Sequence, residues 1–471
     1  MHSKILFASL LLGGLPLMGT LSAEAAVRDT ISINQGWQFH RGDVKNISEL
    51  KSTQGEDDVV NLPHDFLIGQ DWVAPDASER PDNSDAGSNV RSRLSPRGFK
   101  EMGIGWYRYQ LTPKDEWKGK RIVLDFQGIM LVGDVYLNGQ RVGGTDYGYL
   151  GFDIDLSKLL KWGQVNEIIV KADTGKPNNS RWYTGGGLFR DVNLIVTDKN
   201  LYFPRHPLFI RTVNNKEIKI RANILNLQKT KKPQIPVEVK ILNAEGKVVT
   251  QQKSDLRFNA KWRDREYELP SIFLENAKLW SPDSPYLYTA EVTLYDNEGN
   301  IVDQIREPFG IRTIEMNPEK GLLVNGKKVL LKGYANHHTL GALGAAAYPR
   351  AIEKRLKLIK EFGMNHIRTS HNPYSEDFLK LCDKYGILVV DELYDKWLTQ
   401  YAGGRVEWES LWQKDIPEWV KRDRNHPSVI LWSLGNELQQ YSNLPFTFPF
   451  LLCHVRGIIT IFVFSKITFF P

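Results

Sequence analysis

The sequence contains very little cysteine and no long block of charge of one sign. Its 471 residues include only two cysteines, Cys382 and Cys453, which cannot form a framework of several disulfides. The 61 Lys and Arg residues and the 55 Asp and Glu residues are mixed along most of the chain, so a nucleic-acid partner is not expected. With 41% hydrophobic residues, 38 Gly and 23 Pro, the composition excludes collagen-like and wholly disordered chains. A globular protein remains, long enough for about three domains at roughly 100–200 residues per domain.

The N-terminal end has the pattern of a cleavable secretory signal. Lys4 precedes an apolar run from Ile5 to Leu12, and small residues follow at Ala23-Glu24-Ala25-Ala26. A basic start, an apolar stretch and an Ala-x-Ala site together define such a signal. We therefore predict that residues 1–25 are a signal peptide and that the protein is secreted or periplasmic. An N-terminal membrane anchor is the alternative, although Pro16 interrupts the apolar run.

The sequence from 26 to 313 predicts two β domains. Ile122, Leu124 and Phe126 alternate with other residues, as in a strand with one buried face, and Asn138-Gly139 indicates a two-residue hairpin. Many short strands separated by Gly and Pro turns favour a jelly roll over 26–200. The alternation continues from 201 to 313, for example at Ile218 and Ile220, and predicts an immunoglobulin-like β-sandwich.

After residue 313 the periodicity changes to repeated βα units. Amphipathic helices are predicted from Pro349, with Phe362 on the buried face, and after the capping residue Ser375. Short apolar strands are predicted around them at Val329–Leu331, Asn365–Arg368, Ile387–Val390 and Val429–Trp432. Such alternation indicates a parallel sheet covered by helices. The fold class is thus multidomain β plus α/β.

Polar residues follow the end of each predicted parallel strand. They are His337 and His338, then Arg368 and His371, then Asp391 and Glu392, and finally Asn436 and Glu437. The active site of a (β/α)8 barrel lies where the carboxyl ends of its strands meet, so these residues are expected to form one site. Glu437 at such a position could be a general acid or base. A surface salt bridge or a helix cap is the alternative role for this glutamate.

Several segments resemble signatures of glycoside hydrolase family 2, which contains β-galactosidases, β-glucuronidases and β-mannosidases. Residues 424–437, Arg-Asn-His-Pro-Ser-Val-Ile-Leu-Trp-Ser-Leu-Gly-Asn-Glu, resemble the acid/base signature of that family. Residues 365–374 resemble its second signature, and similar matches occur at 333–338, 62–65, 105–108 and 181–190. The resemblance implies a jelly-roll sugar-binding domain, an immunoglobulin-like domain and a TIM barrel, in the order predicted above.

The resemblance also implies roles for individual residues. Glu437 matches the acid/base glutamate, and Asn436 matches the asparagine that hydrogen-bonds the sugar 2-hydroxyl. His337 and His371 match histidines that line the pocket for the terminal sugar, and Arg368 matches an arginine that can orient carboxylates. A purely structural role is the alternative for the two histidines and for Arg368.

Two departures from the family pattern affect the expected chemistry. The segment after the third strand, 391–397, has no histidine to complete a Glu-x-His magnesium pair, so no metal or other cofactor is expected. The family nucleophile is a second glutamate downstream of the acid/base residue, and the sequence has no Asp or Glu after Glu437. The nucleophile is therefore expected to be absent from this chain.

We interpret residues 314–440 as the N-terminal half of a TIM barrel and 441–471 as an aberrant apolar tail, the product of a frameshift or insertion. A complete barrel usually needs roughly 250 residues, more than the sequence offers after residue 313. Arg456 and Lys466 divide the tail into short pieces, so no stable membrane span is expected.

The sequence thus predicts a secreted β-galactosidase-type enzyme for retaining hydrolysis of terminal β-galactosides, with little or no activity in this chain. Its partner would be a β-linked sugar or oligosaccharide. A β-glucuronidase or β-mannosidase is the alternative within the enzyme class. A non-catalytic carbohydrate-binding β-sandwich protein is the alternative from another class.

Overall fold

The structure is a computed structural model that describes residues 28–51, 58–72, 100, 102–174, 182–227, 234–257, 264–395, 405–406 and 408–436. The predicted signal peptide, Glu437 and the predicted tail lie outside the described residues. Within them, no helix is long and apolar enough to cross a membrane.

The first unit is a β-sandwich of two sheets with strand orders β1-β10-β5-β8 and β3-β2-β4-β9-β6-β7. The Asn138-Gly139 hairpin is confirmed, because Leu137 pairs with Gln140 across it. Asn138 (φ 51°) and Gly139 (φ 85°) adopt the left-handed conformation that such a turn requires. The strands are β1 (Asp29–Ser32), β2 (Trp37–Arg41), β3 (Asp58–Val60), β4 (Ile104–Leu111), β5 (Arg121–Phe126), β6 (Val132–Leu137), β7 (Gln140–Thr145), β8 (Phe152–Asp155), β9 (Asn166–Asp173) and β10 (Val192–Thr197), with 3₁₀ turns at Ile47–Lys51 and Asp115–Trp117.

Strand β5 is buried on both faces, and not on one face as its alternation predicted. Ile122, Leu124 and Phe126 pack in the sandwich core, and Val123 and Asp125 between them are buried as well. The outer face is covered because the next unit packs against it, and Arg205 of that unit lies 3.0 Å from the Asp125 carboxylate. The apolar alternation located the core face but carried no information about this second contact.

The second unit is a smaller sandwich in which β13 is the central strand of one sheet. This strand pairs with β11, β12, β16 and β17, and the other sheet has the order β15-β14-β20-β21. Alternate residues of β13, including Ile218 and Ile220, are buried as predicted. The strands are β11 (Leu201–Tyr202), β12 (Leu208–Val213), β13 (Glu217–Asn226), β14 (Gln234–Leu242), β15 (Val248–Arg257), β16 (Asp264–Glu268), β17 (Ile272–Phe273), β18 (Trp280–Ser281), β19 (Ser284–Pro285), β20 (Tyr288–Tyr295) and β21 (Ile301–Phe309).

The third unit contains a parallel sheet with the order β25-β26-β27-β28, preceded by a small antiparallel sheet, β22-β23-β24. The helix Glu376–Tyr385 has the predicted ends: Ser375 Oγ accepts a hydrogen bond from the Phe378 amide, and Gly386 is left-handed at the C-terminal cap. The elements are β22 (Ile314–Asn317), β23 (Gly321–Val324), β24 (Lys327–Lys328), β25 (Gly333–Asn336), α1 (Pro349–Glu361), β26 (His366–Thr369), α2 (Glu376–Tyr385), β27 (Leu388–Glu392), α3 (Trp408–Asp423) and β28 (Val429–Ser433).

Two details of the predicted third unit were wrong. The first parallel strand is not Val329–Leu331 but Gly333–Asn336, and Leu330 is 68% exposed. Val329 and Leu331 instead pack beside Trp280, at the opposite end of the sheet from the polar strand ends. Phe362 was predicted on the buried face of α1 but is 78% exposed, because the helix ends at Glu361 and Phe362 is its C-terminal cap.

The jelly-roll sandwich is joined to the parallel-sheet unit through Asp65. The carboxylate of this buried residue accepts hydrogen bonds from the Gly186 amide at 2.9 Å and from the Ala345 amide at 2.8 Å. The segment around Gly186 is thereby held beside the chain that leads from β25 to α1. Arg190 adds a second link, since its Nη2 donates to the carbonyl oxygen of Pro373 at 2.8 Å. These contacts place a loop of the jelly roll at the carboxyl ends of the parallel strands.

Candidate active site

The carboxyl ends of three of the parallel strands, β26, β27 and β28, meet around one buried carboxylate, Glu392. This residue ends β27 and is 0% exposed. The Arg368 guanidinium donates to its Oε2 through Nε at 3.1 Å and Nη2 at 2.6 Å. Nδ1 of His371 donates to Oε1 at 2.5 Å, and the Ser433 hydroxyl donates to Oε2 at 2.6 Å. Glu392 therefore connects the end of β26 and the segment that follows it with the end of β28.

The charge of Glu392 is matched by its partners. A carboxylate removed from water is costly unless it is paired and hydrogen-bonded, and here it has a guanidinium, an imidazole and a hydroxyl. Because a carboxylate oxygen only accepts hydrogen bonds, the proton of a neutral His371 lies on Nδ1. Its Nε2 is then an acceptor for a ligand hydroxyl.

Asn436 is fixed by the same network. Its Oδ1 accepts from Nη2 of Arg368 at 3.1 Å, and its Nδ2 donates to Oδ1 of Asp395 at 2.9 Å. The backbone amide of Asn436 donates to the Asp395 carbonyl oxygen at 2.8 Å. An amide has two donor hydrogens and two acceptor lone pairs, so one of each remains for a ligand. The amide is thus oriented before any ligand binds.

Three aromatic rings from two domains lie beside this network. The indole of Trp182, from the jelly roll, stacks on the His337 imidazole with centroids 4.5 Å apart and an interplanar angle of 23°. It meets the His371 ring edge-on at 5.6 Å, and the two histidine rings are 5.7 Å apart. Nδ1 of His337 lies 3.0 Å from the Ser370 carbonyl oxygen and donates to it. These rings join the jelly roll to the polar strand ends.

Sequence reasoning missed the roles of Glu392 and Trp182. Glu392 was expected at the site as one of the polar strand ends but was given no role in it, although four hydrogen bonds converge on its carboxylate. Trp182 lies within the segment 181–190 that resembles the family. This resemblance was the signal that could have identified Trp182 as a site residue. The other acidic residue of the strand end, Asp391, faces away from the site: its Oδ2 accepts from the Trp419 indole at 2.7 Å.

The structure brings together Arg368, His371 and Asn436 of the predicted site residues and places His337 beside them. Glu437 is the next residue after Asn436 in the sequence and lies outside the described residues. Its acid/base role stays a prediction. No three His, Cys, Asp or Glu side chains of the described segments are grouped so that they could hold a metal ion.

His338 lies beside the site and has a structural role. Its Nε2 donates to the carbonyl oxygen of Thr184, a residue of the jelly-roll loop, at 3.2 Å. Burial, together with the charge of nearby Arg190, lowers the pKa of His338 from 6.5 to about 3. The neutral ring therefore helps to hold the loop that carries Trp182.

The neutral state of His338 predicts a loss of stability toward acid pH. Its pKa is about 3 in the folded protein and 6.5 when unperturbed. Between these values the unfolded chain binds a proton that the folded chain does not, so the free energy of unfolding falls as the pH falls. From this group alone, about 2 kcal/mol should be lost between pH 7.5 and pH 5.

Urea denaturation at pH 7.5 and pH 5 measures this loss, with His338→Gln as the variant. Glutamine keeps a donor for Thr184 but does not titrate. Other histidines whose pKa is lowered by burial, such as His64, contribute equally to both proteins. The variant should therefore lose about 2 kcal/mol less than the unsubstituted chain. Equal losses would show that His338 is not held neutral.

Comparison with known families agrees with the three units. "Glycosyl hydrolases family 2, sugar binding domain" matches residues 94–198, "Glycosyl hydrolases family 2" matches 206–312, and "Glycosyl hydrolases family 2, TIM barrel domain" matches 314–447. The chain belongs to glycoside hydrolase family 2. The predicted family and fold class are thereby confirmed: a sugar-binding domain, an immunoglobulin-like domain and part of a TIM barrel.

Individual relatives of this family 2 chain carry two different activity names. It is 33% identical to the β-galactosidase BoGH2A of Bacteroides ovatus over 438 residues, which cover 90% of this chain and 49% of that protein. It is 28% identical to a β-glucuronidase of Bacteroides fragilis, covering 89% of this chain and 58% of that protein. Among solved structures, a glycosyl hydrolase family 2 member from Bacteroides cellulosilyticus matches with a TM-score of 0.79 and 30% identity, covering 93% of this chain and 58% of that chain. The chain spans about half the length of these relatives.

Proposed function

We propose that this chain carries the acid/base half of a β-glycosidase site for retaining hydrolysis of terminal β-galactosides. The observation that carries the proposal is the bridge formed by Arg368, which joins Glu392 to Asn436 directly before Glu437. The bridge orients the side-chain amide of Asn436, and the Asp395 carbonyl oxygen holds its backbone, so the residue that precedes the proposed acid/base glutamate is fixed. The stacked pair of Trp182 and His337 beside it supports a pocket for a sugar ring.

In the proposed mechanism, Glu437 and Asn436 have different roles. Glu437 would protonate the glycosidic oxygen as the leaving group departs and would later take a proton from the attacking water. The oriented amide of Asn436 would hydrogen-bond the sugar 2-hydroxyl, a contact that strengthens as the oxocarbenium-like transition state forms. Because the amide is already oriented, it need not reorient during the reaction, and this preorganisation favours catalysis.

The hydrogen bonding of Arg368 favours a neutral sugar over a uronic acid. Recognition of a sugar carboxylate is strongest when a guanidinium offers two parallel N–H groups. Nε and Nη2 of Arg368 are already directed to Glu392, and Nη2 also contacts Asn436. This arginine therefore presents no bidentate face to a glucuronide, which favours a neutral sugar such as a galactoside or a mannoside.

A polypeptide of these 471 residues is proposed to lack the nucleophile. A retaining glycosidase needs a second carboxylate about 5–5.5 Å from the acid/base residue. No Asp or Glu follows Glu437 in the sequence. Of the described carboxylates at the strand ends, Glu392 and Asp395 are engaged with Arg368 and Asn436, and Asp391 faces Trp419.

Hydrolysis of nitrophenyl β-galactoside, β-glucuronide and β-mannoside by the purified chain tests this proposal. The expected rates equal those of the Glu437→Gln variant and of buffer alone, because no residue is available to form the glycosyl-enzyme intermediate. Turnover of any of the three substrates that disappears in Glu437→Gln would contradict the absence of a nucleophile. The preferred substrate would then identify the sugar.

A further inference from the structure

Asp395 is a buried carboxylate that occupies the same position after its strand as Asn436 does. Strand β27 ends at Glu392 and β28 ends at Ser433, so Asp395 and Asn436 each lie three residues beyond a strand end. The two strands are neighbours in the parallel sheet, and Asp395 is 1% exposed. The sheet therefore brings the two side chains together beside the candidate active site.

The segments that follow β27 and β28 are joined by their main chains. The Leu393 amide donates to the Ser433 carbonyl oxygen at 3.0 Å, and the Asn436 amide donates to the Asp395 carbonyl oxygen at 2.8 Å. These bonds use no side-chain atom. The backbone of Asn436 is therefore held at this place whichever side chain stands at position 395, and a substitution there acts on the side-chain amide of Asn436.

The carboxylate of Asp395 holds the end of the Asn436 amide that Arg368 does not contact. Its Oδ1 accepts from Nδ2 of Asn436 at 2.9 Å, whereas Nη2 of Arg368 donates to Oδ1 of the same amide at 3.1 Å. A carboxylate only accepts hydrogen bonds and a guanidinium only donates them, so the two partners permit a single orientation of the amide. Arg368 alone would hold only its oxygen end.

We propose that Asp395 is a positioning residue for recognition of the sugar 2-hydroxyl and acts through the amide of Asn436. The inference rests on the proposed function, in which Asn436 hydrogen-bonds that hydroxyl. An amide fixed at both ends offers its remaining N–H and lone pair in one direction, so the sugar does not have to order it on binding. A carboxylate with only a structural role would affect all ligands of the site equally.

Calorimetric titration of the purified full chain with isopropyl β-thiogalactoside and with its 2-deoxy analogue tests the proposal. Asp395→Ala removes the acceptor of Nδ2 but leaves the backbone bond to Asn436 in place. Affinity for the thiogalactoside should fall about tenfold. Affinity for the 2-deoxy analogue should change less than about twofold, because this ligand has no hydroxyl for the amide to bind. Equal losses for the two ligands, or no loss for either, would overturn the proposal.

A conservative variant and a matched control complete the test. Asp395→Asn keeps an oxygen that can accept from Nδ2 of Asn436, so its affinity for the thiogalactoside should stay within about threefold of the unsubstituted chain. Asp415→Ala removes another buried carboxylate, which is 4% exposed and accepts from the Tyr394 hydroxyl at 2.7 Å, and should leave the affinity unchanged. A loss in Asp395→Asn as large as that in Asp395→Ala would overturn the proposal.

Asp395→Ser serves where the alanine variant does not fold. Its hydroxyl can bind water but is too short to replace the carboxylate oxygen at the Asn436 amide, so the same selective loss of thiogalactoside affinity is expected.

The outcomes separate this inference from the proposed function. If the unsubstituted chain binds neither ligand, both fail. If it binds both ligands and Asn436→Ala weakens only the thiogalactoside, while Asp395→Ala weakens neither, the proposed function stands and the role of Asp395 is overturned.

Discussion

Replacing Glu392 by leucine is expected to lower the free energy of unfolding by about 3–5 kcal/mol. The side chain is 0% exposed, and its removal leaves the Arg368 guanidinium without the two hydrogen bonds, at 3.1 and 2.6 Å, that compensate its charge. His371 loses the acceptor of its Nδ1–H in the same step. Urea denaturation of the purified chain measures the change.

The double variant Glu392→Leu/Arg368→Leu is the control for this prediction. It removes the uncompensated charge together with the carboxylate, so it should recover a large part of the stability lost in the single variant. A single variant that loses less than about 1 kcal/mol would show that the pair is not a buried, matched ion pair. A double variant less stable than the single one would show that the two side chains act independently.

Replacing Asp65 by alanine is expected to cost about 3–5 kcal/mol and to loosen the jelly roll from the sheet. The carboxylate accepts from the Tyr183 hydroxyl at 2.7 Å and from the backbone amides of Leu67 at 3.0 Å, Gly186 at 2.9 Å and Ala345 at 2.8 Å. Burial raises the pKa of Asp65 despite these four bonds. The expected loss therefore comes from donors left without an acceptor, and not from a lost favourable charge.

Tyr183→Phe is the matched control for Asp65→Ala. It removes one of the four donors and leaves the links to Gly186 and Ala345 intact, so about 1 kcal/mol should be lost. Limited proteolysis adds a second measurement, because a loosened jelly roll should be released as a fragment from the alanine variant only. Similar stability losses in the two variants would contradict the view that Asp65 joins the two domains.

Local signals in the sequence predicted the elements that depend on neighbouring residues. The Asn138-Gly139 hairpin and the Ser375 cap of α2 are specified by residues within a few positions, and both are present. The first parallel strand was misplaced because its residues carry no apolar signal. Gly333 is required there for another reason: a Cβ at this position would overlap the carbonyl oxygen of His366 on the neighbouring strand.

The candidate site was predictable only in part, because its organisation depends on contacts between distant segments. Strand ends and family resemblance identified Arg368 and Asn436. Glu392 became central only when the folded sheet placed Arg368, His371 and Ser433 around it. Likewise, the stacking of Trp182 on His337 requires the jelly roll to dock on the sheet, which no local pattern of the sequence specifies.

Binding of isopropyl β-thiogalactoside, which glycosidases do not hydrolyse readily, tests most directly whether the strand ends form the sugar site. Calorimetric titration would compare the unsubstituted chain with Asn436→Ala, and with Asn61→Ala as a control that removes an exposed amide of the jelly roll. Our account predicts that the chain binds this sugar, that Asn436→Ala weakens binding about tenfold or more and that Asn61→Ala does not. Undiminished affinity in Asn436→Ala would place the sugar elsewhere on the molecule and would contradict the account.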